Sequence, residues 1–223
     1  MTRSAAFALL LLPAVLAARP DEPFSAKVEP TDPPAALAEP VRAALSKDAL
    51  VVRGGDAVVM RVWFRDPIPV KATPEQLKNG VTYREIPEGA LVGAIEFPKA
   101  FTDFRKQELA AGVYTLRFAV QPEIGDHDGT APHPEFCLLS PAAKDKSAEP
   151  MEKKDLIELS STVNEGKHPA VLLLFPNFDK AAGPKVVGKG DGVWVATTRR
   201  AVSAGGEKAT LGFAVTVAGQ WKQ

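Results

Sequence analysis

Cysteine is nearly absent from this chain. Cys137 is the single one in 223 residues, so no disulfide can form within it even where an oxidising compartment would permit one. A surplus of either charge is absent too. Lys and Arg together number 27, as do Asp and Glu, and the balance stays close to −1 if the first 18 residues, which carry only Arg3, are removed. That excludes the electrostatic footprint of a nucleic-acid binder and a polybasic membrane patch. Beyond the N-terminal stretch no apolar run approaches the ~20 residues needed to cross a bilayer as a helix. The chain has no repeat of fixed period, no G-x-S-x-G elbow and no H-E-x-x-H pair. Cys137, flanked by Phe136 and Leu138, lacks the surroundings of a nucleophile and reads as a small buried hydrophobe.

What is present begins with MTRSAAFALLLLPAVLAA: one positive residue, an apolar run from Ala5 to Leu12, then Pro13 and small residues. That order is expected of a secretory signal peptide over residues 1–18, cleaved after Ala17 or Ala18, with the mature protein periplasmic or secreted. No cysteine stands at the cleavage site to take a lipid. Residues 19–40 hold six prolines and few large apolar side chains, and are expected to form an extended arm or linker. The ordered domain is expected over 41–223, which is long enough to bury a core without staples.

Within that span the apolar pattern has period two. In AVVMRVWF, Val58, Met60, Val62 and Phe64 alternate with Val59, Arg61 and Trp63. The preceding DALVV is joined to it by Arg53-Gly54-Gly55-Asp56, a tight hairpin turn. ALVGAIEF, VYTLRFAV, GVWVATT and KATLGFAVTV read as further strands. AVLLLF at 170–175, apolar on both faces, reads as a central strand. Two short helices are expected. One starts at Thr73-Pro74-Glu75-Gln76, and the other spans MEKKDLIELSSTV with Leu156, Leu159 and Val163 on one face. The polar stretch from Ser140 to Pro150 reads as a mobile surface loop. Many strands and few helices predict a mainly β protein, an antiparallel β-sandwich of immunoglobulin-like or jelly-roll type.

The segment QELAAGVYTLRFAVQPEIGDHDGTAPHPEFCLLSP, followed by KHPAVLLLFP, resembles a group of exported bacterial proteins of uncharacterised function over about the middle third of the chain. The resemblance implies an exported β-rich protein and carries over no catalytic residue.

Ligand-capable side chains are densest in QPEIGDHDGTAPHPEF. His127, His133, Asp126 and Asp128 are candidate metal ligands, with His168 as an outside member and Glu135 as a base beside a metal-activated water. Zinc is the divalent ion such a set suits. The spacing fits no helical or knuckle motif, and the Gly, Asp and Pro content equally describes a turn. Asp126-x-Asp128-Gly129 lacks the remaining positions of a calcium loop. A blue-copper site is excluded because no histidine follows Cys137 until His168. Trp63 and Trp194, opposite the regular apolar rows of their strands, are candidates for an exposed stacking platform. The leading expectation is an exported non-catalytic binding domain without cofactor, whose partner is an envelope or extracellular ligand. A metal-dependent, possibly hydrolytic site and a carbohydrate-binding module are the alternatives.

Overall fold

The computed structural model describes residues 23–122, 131–164, 168–180 and 183–220. The chain begins with β1 (Phe24–Pro30), α1 (Glu39–Ala43), β2 (Asp48–Gly54), β3 (Ala57–Phe64), β4 (Ile68–Pro69), α2 (Pro74–Asn79) and β5 (Leu91–Phe97). It continues through β6 (Phe101–Thr102), β7 (Glu108–Leu109), β8 (Gly112–Val120), β9 (Glu135–Pro141), α3 (Lys153–Ser161) and β10 (Ala170–Leu173). It closes with β11 (Lys185–Gly190), β12 (Val193–Ala204) and β13 (Glu207–Ala218). Single 3-10 turns stand at Tyr83–Glu85 and Thr162–Asn164. Among the described residues no helix is long and apolar enough to cross a membrane.

Two antiparallel sheets enclose one core, as the alternating pattern predicts. The larger orders its strands β1-β2-β3-β5-β8-β9-β10, and the smaller β11-β12-β13. The short β4 pairs in parallel with Val202 and Ser203 of β12. Met60, Val62, Phe64, Leu116 and Phe118 of the large sheet meet Ala196, Val202, Leu211, Phe213 and Val215 of the small one in a single buried cluster. Strand order refines the type of sandwich. Every neighbour in the large sheet is the next of its strands in sequence, which makes it a meander.

Local chemistry explains the elements that position the rest. Gly55 takes φ 59° in the β2–β3 turn, a left-handed conformation that glycine adopts at no steric cost. A bulge opposite Arg53 leaves Val59 as the extra residue of β3, so Val58 joins the outer cluster while Val59 turns to the inner core. At the head of α2, Thr73 Oγ1 accepts the Gln76 N–H and Gln76 Oε1 accepts the Thr73 N–H, a reciprocal capping box.

The two sheets are stitched at Tyr83. Its buried hydroxyl donates to the Phe175 carbonyl at 3.0 Å and accepts the Ala214 N–H at 2.9 Å. Phe175 N–H donates to the Ala214 carbonyl, so the chain leaving β10 crosses directly onto β13. Burial pushes the Tyr83 phenol far above its ordinary range.

Three expectations are corrected here. The Pro-rich stretch at 19–40 is not wholly an arm, because β1 pairs residue by residue with β2 and opens the large sheet. Its proline-free run FSAKVE supplies the donors, and Pro30 falls at the strand's end on a sheet edge, where a missing N–H costs little. AVLLLF contributes the last strand of the sheet, not a central one. It is apolar on both faces because Leu172 and Leu174 meet the core while Val171 lies under α3. The stretch from Ser140 to Pro150 is pinned rather than mobile, by the ion pair described next.

Candidate functional site

The outer face of the large sheet, away from the core, carries a buried ion pair and a cleft. Arg117 of β8 points outward yet is 0 % exposed, as is its partner Asp145. Arg117 Nε and Nη2 donate to the two Asp145 oxygens at 2.7 and 2.8 Å, a bidentate fork. Its remaining donors go to the carbonyls of Gly89, Ser147 and Glu149, and Thr115 Oγ1 donates to Asp145. This network folds the segment 142–151 flat onto β5 and β8. Gly89, at φ 78°, lies so close beneath Met151 that a Cβ there would overlap the Met151 carbonyl.

Beyond that segment the same face turns apolar. Ala119 of β8, Phe136 and Leu138 of β9 and Val171 of β10 form a floor, and Leu156 of α3 packs onto it. Helix α3 is bolted down by Ser160, whose buried hydroxyl donates to the Leu139 carbonyl at 2.7 Å and accepts the Ala170 N–H at 3.1 Å. The amphipathic face expected at Leu156, Leu159 and Val163 is therefore realised one step round, with Leu156 and Ser160 innermost. Between helix, floor and the β6–β7 hairpin lies a cleft of about 370 Å³. Its apolar rim includes Ile157, which is 41 % exposed.

Among the described residues four ionisable side chains border this cleft: Glu88, Arg105, Lys153 and His168. Lys153 pairs with Glu88 at 3.2 Å, and Glu88 also accepts the Val120 N–H, so that carboxylate is neutralised. Arg105 stands in the β6–β7 turn, which is shaped by Asp103. The Asp103 carboxylate accepts N–H groups from Arg105, Gln107 and Val171 and the Gln107 side-chain amide. Burial raises the Asp103 carboxyl above its ordinary value, and these donors oppose the shift. Gln107 and Asn164 then tie the hairpin to the Pro169 and His168 carbonyls.

The sequence-derived candidates fall in several places. Asp126, His127 and Asp128 lie outside the described residues. His133 is half-buried with its ring edge-on to Phe175 at 4.8 Å, and its pKa is lowered by burial and by Lys189, against the pull of Glu135. His168 is exposed at the cleft. Among the described residues no three His, Cys, Asp or Glu side chains group to hold a metal ion. The exposed platform is corrected for Trp63, which is 1 % exposed and donates its indole N–H to the Thr31 carbonyl under the α1 segment. Trp194 is half-buried against Phe24 of β1. Cys137 is buried, as its apolar neighbours imply, and burial pushes its thiol well up. The cleft itself was missed. Its signals were Leu156 and Ile157, adjacent on α3 with only one fully buried, and Ala119, small in a strand of large residues. No family model, curated protein or solved structure matches this chain.

Proposed function

We propose that this chain is an exported, non-catalytic β-sandwich that binds a small ligand of the cell envelope or extracellular space in the cleft under α3. The observation that carries the reading is the cleft: about 370 Å³, floored by Ala119, Leu138 and Val171, walled by Leu156 and bordered by a few ionisable groups. Sites for small organic ligands have this size and this mixture of apolar lining with sparse polar anchors. The N-terminal order of Arg3, apolar run and small residues supports export.

The test uses N-phenyl-1-naphthylamine, a neutral apolar dye whose emission rises in apolar surroundings. Saturable, stoichiometric binding to the purified mature chain is expected, weakened about tenfold in Ile157→Asp, because an ionised carboxylate at the rim opposes apolar contact. Ile157 is largely exposed, so stability should stay within about 0.5 kcal/mol of the parent. Absence of saturable binding, or binding indifferent to this substitution, overturns the reading.

A further inference from the structure

We infer that the cleft selects a single-headed anionic amphiphile: an alkyl or aryl-alkyl chain seated on the Ala119, Leu138 and Val171 floor, with its carboxylate or comparable anionic head held by Arg105. This rests on the ligand-binding reading above and names the ligand's chemistry.

Charge is unevenly balanced at this apolar site. Of the groups at the border, Lys153 and Glu88 satisfy each other, and the Val120 N–H completes the carboxylate. Arg105 is different. Its backbone N–H is used to build the turn on Asp103, while its guanidinium makes no hydrogen bond or ion pair with any described residue. A guanidinium is charged at all accessible pH and presents a planar fork suited to a carboxylate or phosphate. Arg105 is exposed, and the backbone that carries it is held in place. Asp103 fixes the turn through four accepted hydrogen bonds, and the Gln107 amide clamps that turn to the Pro169 carbonyl at 3.0 Å. A cation mounted on a braced turn beside an apolar floor is complementary to a ligand that is apolar at one end and negative at the other. A cationic head is disfavoured, since it would meet Arg105 while Glu88, the one carboxylate at the border among the described residues, is already paired with Lys153.

Competition against the neutral dye separates head from tail. At low salt, decanoate is expected to displace the dye at about fivefold lower concentration than 1-decanol, in keeping with an accessible ion pair. The advantage should shrink in 0.5 M NaCl, where exposed pairs are screened. Across hexanoate, octanoate and decanoate, affinity should rise about fourfold per added methylene while the chain still finds floor to cover. Arg105→Gln should abolish the preference for decanoate over decanol. Lys153→Gln should keep the preference. Equal competition by decanoate and decanol in the parent overturns the inference while the ligand-binding reading stands. So does a preference that survives Arg105→Gln, or one lost only in Lys153→Gln. No dye binding at all removes the underlying reading and the inference with it.

Discussion

Arg117 and Ala119 sit two residues apart on the outer face of one strand, yet their surroundings are opposite. Around Arg117 every donor is matched by two carboxylate oxygens and three carbonyls, and the Thr115 hydroxyl donates to the same carboxylate. Around Ala119 lie the apolar side chains of Phe136, Leu138, Leu156 and Val171, a helix held on by Ser160 and a cleft. The contrast shows two ways to cover a sheet. A desolvated ion pair demands that each neighbour be placed, because an unmatched buried charge or carbonyl is costly, so it closes its half completely. Apolar contact carries no directional demand, and one apolar group can replace another at the same surface. That tolerance makes the second half suited to a guest and the first half unsuited.

The largest effect is expected from breaking the closed half. Arg117→Met should cost about 3–5 kcal/mol in urea-unfolding free energy, since Asp145 is left charged and buried and three carbonyls lose their donor. Arg117→Met combined with Asp145→Leu should recover part of that loss. A single-variant cost below about 1 kcal/mol would show that the pair does not organise the segment above it. On the open half, Leu156→Ala removes the main helix-to-floor contact and should cost about 2–4 kcal/mol, with dye binding weakened as the wall recedes. Unchanged stability there would mean that Ser160 and the backbone alone hold α3.

The smallest effect concerns pH. The His133 pKa is lowered in the folded protein by burial and Lys189, so the unfolded chain binds more protons at this position just below the ordinary value of about 6.5. Its contribution to stability is therefore fully present above that value. It falls as pH drops through 6.5 toward the folded pKa, then levels off. For a half-buried ring the change is small, and unfolding midpoints from pH 7.5 to 5 should show this step in the parent and not in His133→Gln. The closed half should show no matching histidine step, as its cation is an arginine, charged throughout.

The parts of this architecture that were legible are those written in short-range pattern. The Arg53-Gly54-Gly55-Asp56 turn, the Thr73 capping box and the alternation of Tyr114, Leu116 and Phe118 depend on neighbours within a few residues, and all appear as read. What the pattern does not contain is partnership at a distance. Asp145 looks solvated among Lys144, Lys146 and Ser147 because its guanidinium is 28 residues away on a strand. Trp63 reads as facing water because Thr31 and the α1 segment that cover it lie in or beside a proline-rich stretch. The density of prolines there masks a strand whose own residues, Phe24 to Glu29, contain none. The cleft was hidden for a similar reason. Its floor takes one or two residues from each of three strands and its wall from a helix, so no continuous stretch carries its composition.

The Tyr83 stitch has a consequence for the order in which the protein can be completed. Each strand of the large sheet bonds to the one before it in that sheet, so contacts there are mostly local and can form progressively from the N-terminal side. The bond from the Ala214 N–H to Tyr83 closes a separation of 131 residues, and it needs the final hairpin of β12 and β13. Until that hairpin arrives, the inner faces of Met60, Phe64 and Phe118 have no opposing layer and remain adhesive surface. A chain that emerges from its N-terminus thus completes this core only once β13 arrives, and the tyrosine acts as the latch that registers the closure.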